Sequence, residues 1–227
     1  MRLINKLKRD VLLKKEMYET HFSYKMKMTN FSDNREYKSL FDSLKIEHNI
    51  YIKQISSVDM AMSLELANFI MNFCIEYKPK YLLDLGSGFS SFVFRLYQNN
   101  FKEMGVIVYS VDDDINWLVK TKDYLINKRL NIDYLFDLEE FKNFNLREYF
   151  DLILLDLNFV DVRKDYLTFS MNLLSKNGLL IVDDVHKVEF LREVKNATKI
   201  NDFKLSNIKN STVDKLGRFA IAIKNEI

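Results

Sequence analysis

The sequence predicts a doubly wound α/β domain of seven mostly parallel strands, closing on an antiparallel hairpin and preceded by a helical extension. Three observations carry this. Residues 1–79 hold no glycine and a single proline, and their apolar residues recur at helical spacing, as in Ile4, Leu7 and Val11 or Met60, Leu64, Leu66 and Ile70. Beyond Pro79 come seven short runs rich in Ile, Val, Leu, Tyr and Phe, most of them separated by helical stretches. That alternation belongs to a parallel sheet covered on both faces. The last two runs are joined by the polar segment KNSTVDKLG, which has no clear helix, and so they form the hairpin.

In chain order the predicted strands are 81–85, 106–111, 132–136, 151–157, 178–184, 202–208 and 218–224, with helices at 90–100, 114–128, 163–175 and 187–197. The chain divides into an N-terminal helical extension or lid, 1–58, and the α/β domain, 59–227.

Composition narrows the function classes. With 48% hydrophobic residues the chain is not disordered, and 34 basic against 32 acidic side chains leave no nucleic-acid signature. The single cysteine, Cys74, excludes an internal disulfide and reads as a buried thiol in FIMNFCI. No apolar run reaches the roughly 18 residues of a membrane span, and charges interrupt the N-terminus every few residues. The expectation is a cytoplasmic protein.

Two of the five glycines lie in YLLDLGSGFSS, residues 81–91, directly after the first strand. A loop there contacts ligands in doubly wound sheets. A dinucleotide fingerprint needs G-x-G-x-x-G, and its third position here is Ser91. Asp84, two residues before Gly86, would repel a pyrophosphate but suits a positive charge. The Asp112-Asp113-Asp114 set ends the second strand, where a carboxylate can accept both hydroxyls of a ribose. The residues ask for a ribose and a cation.

DLGSGFSS followed by VYSVDDD resembles the first two motifs of class I S-adenosylmethionine-dependent methyltransferases, over residues 60–227. The resemblance implies a Rossmann-like fold and an S-adenosylmethionine cofactor. It implies that Asp84 positions the amino-acid part of that cofactor. Gly86, Ser87, Gly88 and the small Ser90 admit it, Asp112 with Asp113 holds the ribose, and Asp137 lies near the adenine.

A second acidic set follows. Asp156 ends the fourth strand and Asp183-Asp184 end the fifth. Neighbouring strands would bring the three carboxylates together, and they would repel one another unless some were protonated, some faced away, or a cation sat among them. An all-oxygen set suits Mg²⁺, while Asp183-Asp184 can also cap the following helix. The set resembles metal-dependent small-molecule O-methyltransferases, the sugar and catechol types. By that likeness Asp156, Asp183 and Asp184 hold the metal, and Asp156 also borders the cofactor and serves catalysis. From their positions, His186 at the mouth of the inferred pocket or Lys164 after Asp156 takes the acceptor's proton. The acceptor implied is a sugar, glycan precursor or related metabolite. Asn158 and Phe159 stand where such relatives carry an acid and a lysine.

Arg2, Lys6, Lys8, Arg9, Lys14 and Lys15 alternate with Leu3, Ile4, Leu7, Val11 and Leu12. This basic amphipathic helix either packs on its own domain or a partner subunit, or lies on an anionic membrane. In the resembled family such helices cover the pocket, where Tyr18, His21, Phe22 and Tyr24 would lie, and build homodimers. The alternatives are N- or phenol-directed methylation, a non-catalytic nucleotide-binding subunit, and an NAD enzyme, which Asp84 and Ser91 disfavour. Nucleic-acid methylation is disfavoured too, because the fourth-strand motif is DLNF.

Overall fold

A computed structural model of the chain describes residues 2–144, 146–147 and 149–226; for residues 2–7 it describes the helix and not the side chains. The expected contributions of Arg2, Leu3, Ile4, Lys6 and Leu7 therefore lie outside the described side chains.

Three helices come first: α1 (Arg2–Glu19), α2 (Lys38–Gln54) and α3 (Leu64–Tyr77). Strands and helices then alternate: β1 (Tyr81–Leu85), α4 (Phe89–Asn100), β2 (Ile107–Asp112), α5 (Ile115–Asn127), β3 (Leu135–Asp137), α6 (Leu138–Lys142), β4 (Phe150–Leu155), α7 (Val160–Leu173), β5 (Leu174–Val182) and α8 (Val188–Ile200). The chain closes with β6 (Lys204–Ser206), α9 (Lys209–Thr212) and β7 (Ile221–Lys224). The sheet runs β3-β2-β1-β4-β5-β7-β6, with β7 antiparallel to both neighbours and the remaining pairings parallel. The terminal hairpin is present as expected, with a short helix, α9, in the connection where none is evident from sequence.

Alternation along each strand builds two cores. Leu82, Leu152, Leu154, Leu179 and Ile181 face the side covered by α2, α3 and α4. Leu83, Leu85, Ile153, Leu155, Leu180 and Val182 face α7 and α8. Both faces of the central strands are thus buried, as a parallel sheet requires. Register then collects the acids at one edge. Asp112 pairs with Asp137, and Leu155 with Val182, so Asp156 and Asp183 leave neighbouring strands side by side.

The N-terminal segment straps the sheet. Inside α1, Glu16 accepts from Arg192 Nε at 2.8 Å and Lys195 Nζ at 2.5 Å on α8. Lys195 and then Arg192 hold its carboxyl below the usual range. The following extended chain covers the exposed edge of β6: Tyr24 N–H donates to Leu205 O at 3.1 Å, and Ser23 Oγ accepts from Leu205 N–H at 3.3 Å. Covering an edge strand in this way removes a template for aggregation. On the other face, Asn72 of α3 accepts from Phe31 N–H at 2.7 Å. Replacing Glu16 with Ala is expected to release α1. Trypsin would then cut faster after Lys14 and Lys15 while far-ultraviolet circular dichroism of the remainder stays unchanged; unchanged cleavage would refute the tether. Among the described residues no helix is long and apolar enough to cross a membrane.

Candidate functional site

The turn after β1 is held from several sides. Gly86 N–H donates to Val111 O at 2.9 Å, and its φ of +108° lies where L side chains are rare. A Cβ there would sit 2.3 Å from Asp156 O and 2.4 Å from Asp156 C. Gly86 therefore lets the β1 turn press against the end of β4. The Ser87 N–H and hydroxyl both donate to Asp112 Oδ2, each at 2.7 Å, and Trp117 Nε1 donates to Ser87 O at 2.7 Å. Ser91 accepts from Gly88 N–H at 3.2 Å and donates to Asp84 Oδ2 at 2.5 Å. The position that breaks the dinucleotide fingerprint thus supplies a hydroxyl that ties the turn to the buried acid. Ser90 Oγ donates to Gly86 O at 3.2 Å.

Asp84 is fully buried. Its Oδ2 also accepts from Ser110 at 3.3 Å, while its Oδ1 has no partner among the described residues. The buried Arg95 reaches it through one hydroxyl, donating to Ser110 Oγ at 2.7 Å. Burial pushes the Asp84 carboxyl up to about 7, against the lowering effect of Ser91, Ser90 and Arg95. Asp112 is raised to about 6 by burial, although Asp114 N–H and Ser87 donate to it. A buried acid with a bare oxygen is costly unless something completes it.

A cavity of about 450 Å³ opens over this turn. Three further buried oxygens without a hydrogen-bond partner among the described residues, Tyr51 Oη, Ser56 Oγ and Asp184 Oδ1, belong to residues lining it. Tyr51, from α2, brings its hydroxyl to 3.2 Å from where a Gly88 Cβ would stand. Arg218 fixes the covering loop by donating to Asp59 O at 2.8 Å and Val58 O at 3.0 Å, with Asp214 bonded to its Nε at 2.7 Å. A second hollow of about 380 Å³ lies beside it, between Ile115 and Leu138, with Asp113 and Asp137 on its walls. Asp137 also caps α6, accepting from Glu139 and Glu140 N–H at 3.0 Å each. Asn158 Nδ2 donates to Asp113 Oδ2 at 2.9 Å, linking the strand ends between the hollows. Asp84 itself does not line the cavity: it lies beneath the turn, and Gly86, Ser87, Gly88 and Ser90 form the wall between them. A flat apolar group would fit the second hollow, between Ile115 and Leu138.

The acidic set does converge, and the cation among its members is Arg163 of α7. Its Nη2 lies 2.6 Å from Asp156 Oδ1 and its Nη1 2.9 Å from Asp184 Oδ2. Leu157 O and Asn158 O accept from the same guanidinium at 2.9 and 3.0 Å. Asp183 accepts from Asp184 N–H at 2.7 Å, and burial raises its carboxyl to about 6. The expected metal centre at Asp156, Asp183 and Asp184 is corrected accordingly. One oxygen of Asp156 and one of Asp184 already grip a guanidinium, and no group of three or more potential ligands able to hold a metal occurs among the described residues. The wall does not fit Mg²⁺.

Neither expected proton acceptor lines the cavity. His186 sits behind the wall with Nδ1 3.4 Å from Asp184 Oδ1, and burial lowers its pKa. Lys164 pairs with Asp161 at 3.2 Å on the outer side of α7. Sequence reasoning missed Arg163, Tyr51, Ser56, Trp117 and Arg218. Only Arg163 had a signal, since three convergent carboxylates call for a cation.

No protein-family model matches the chain, and no curated protein does. Solved structures do. The chain is similar to the S-adenosylhomocysteine-bound methyltransferase PaMTH1 of Podospora anserina, with a TM-score of 0.58 and 13% identity over 89% of this chain and 98% of that one. It is similar to TomG of Streptomyces achromogenes, an O-methyltransferase involved in tomaymycin synthesis, solved with S-adenosylmethionine. There the TM-score is 0.54, with 14% identity over 96% and 97%. Cofactor-bound Rv0187 from MTB gives 0.58 and 12% identity over 86% and 93%. The chain thus has the Rossmann-like fold of class I S-adenosylmethionine-dependent methyltransferases.

Proposed function

From that fold and the geometry of the site, we propose that the chain is an S-adenosylmethionine-dependent methyltransferase acting on a hydroxyl of a small molecule. The observation that carries the reading is Asp84, a fully buried carboxylate with one oxygen unpartnered under the two-glycine turn. Asp84 would take the cofactor's ammonium, with Gly86, Ser87, Gly88 and Ser90 admitting its chain. Asp112 and Asp113 would face the ribose and Asp137 the adenine. Residues 1–58 would act as the lid, with Tyr51 closing over Gly88.

When bound, the cofactor supplies an activated methyl, which the acceptor oxygen takes as the carbon–sulfur bond breaks and its electron pair returns to sulfur. The chain's part is to align acceptor and methyl, the larger share of such catalysis, and to receive the acceptor's proton. Asp183 is the carboxylate of the wall that the guanidinium does not bind, and we assign it that role in place of His186 and Lys164.

The wall also bears on the acceptor. A sugar or glycan-precursor hydroxyl resembles water, whose pKa is about 15.7, and is harder to ionise than a phenol where no divalent ion acidifies it. A phenol ionises near pH ~10, as tyrosine does. With Arg163 filling the wall, phenol-directed transfer is the better supported of the two, and the rim adds Phe159 and Met60, both largely exposed. A panel of phenols and sugar nucleotides with labelled cofactor and excess chelator tests this; transfer to the sugars alone would overturn it. The chain's one tryptophan, Trp117, lines the cavity, so S-adenosylhomocysteine is expected to change its fluorescence saturably. No change at millimolar ligand would count against a site at this turn.

A further inference from the structure

We propose that Arg163 is a resident cation that stands in the place of a divalent ion and makes the acidic wall independent of metal. The binding part of this inference concerns the wall alone; its activity part rests on the proposed methyl transfer.

The guanidinium is fixed in four directions. Asp156 and Asp184 bind two of its nitrogens, at 2.6 and 2.9 Å, and the carbonyls of Leu157 and Asn158 accept at 2.9 and 3.0 Å. Its side chain is 6% exposed. A planar, permanently charged fork with this many acceptors is a rigid counter-ion, unlike a lysine, which would act as a point charge. It derives from local sequence. Asp156 leaves β4, the chain turns through Asn158 at φ +34°, and α7 returns Arg163 seven residues later, its N–H bonded to Phe159 O at 3.2 Å. The helix that follows β4 therefore carries its own cation back to the strand end.

One positive charge serves two of three neighbouring acids. Asp183 has no ion pair among the described residues, while Asp156 and Asp184 are held in place. The guanidinium thereby positions the wall and leaves Asp183 as the group free to meet an acceptor. Such a counter-ion cannot be chelated away or exchanged.

The test is a titration of the whole chain with Mn²⁺, followed by calorimetry and by loss of the free-ion electron paramagnetic resonance signal. The wild type is expected to bind no Mn²⁺ stoichiometrically up to millimolar concentration. Arg163→Gln, which is shorter and keeps two of the five N–H donors but loses the charge, and Arg163→Met are each expected to gain one site at least tenfold tighter. Adding Asp183→Asn should remove that site. Stoichiometric Mn²⁺ on the wild type that is lost with Asp183→Asn would overturn the proposal, as would folded Arg163 variants that bind none. If one variant fails to fold, the other and the wild type still decide. In the activity arm, transfer by the wild type should be unchanged in excess chelator; activity lost there and restored by Mg²⁺ would also overturn it. If S-adenosylhomocysteine fails to bind, the methyltransferase reading falls while the Mn²⁺ result stands.

Discussion

Gly86→Ala is expected to destabilise the protein by roughly 3 kcal/mol or more, because backbone strain of about 1–3 kcal/mol adds to a packing clash of similar size. The φ of +108° imposes the strain, and the Asp156 carbonyl 2.3 Å from the new Cβ imposes the clash. Neither can relax cheaply, since the obstructing atoms are backbone at the end of the central strand β4. For a chain of this size each 1 kcal/mol lowers the melting temperature by roughly 2–4 °C, so a fall of about 6–12 °C should be visible in a thermal melt. Gly105→Ala is the matched comparison. Gly105 also has a positive φ, +63°, yet nothing lies within 4 Å of its Cβ position, so the change should cost only about 1–2 kcal/mol. Equal melting of the two variants would mean that the turn does not press on β4 as described.

Asp84→Asn is expected to weaken cofactor binding by about ten- to a hundredfold, the range for losing hydrogen bonds to a charged group. It should also abolish most of the pH dependence of that binding. Burial raises the Asp84 carboxyl to about 7 in the free protein, whereas an ammonium beside it would favour the ionised form. Binding therefore has to expel a proton below pH 7. Affinity should rise with pH from 5 toward 7, by up to tenfold per unit, and level off above. In Asp84→Asn a weaker slope should persist below pH 6, from Asp112, which is raised to about 6. Calorimetry with S-adenosylhomocysteine from pH 5 to 7.5 reads both effects. A wild-type affinity flat over that range would remove Asp84 from the site.

Much of this architecture was legible because it depends on short-range pattern. Apolar alternation marked the strands, and Asp84, Asp112, Asp137, Asp156 and Asp183 were legible at or near strand ends; the observed order β3-β2-β1-β4-β5 brings those ends to one edge. What escaped depends on long side chains reaching between elements. β3 is three residues long rather than the five expected over 132–136. Arg95 claims the carbonyls of Asn131 and Asp133 at 2.7 and 3.1 Å, which keeps them out of the sheet ladder, and Tyr134 follows at φ +58°. Arg163 escaped for a similar reason. An arginine on a helix reads as a solvated charge, and only the three-dimensional path of α7 brings it back to Asp156. Tyr51 and Ser56 escaped because the extension gives no sign of which side chains meet a turn some thirty residues later.

The most direct test of the account is calorimetric titration of the wild type with S-adenosylhomocysteine near pH 7.5, once in Mg²⁺ and once in excess chelator. One site per chain is expected, with the same affinity in both. Absence of binding in either condition, or binding of NADH in its place, would contradict it.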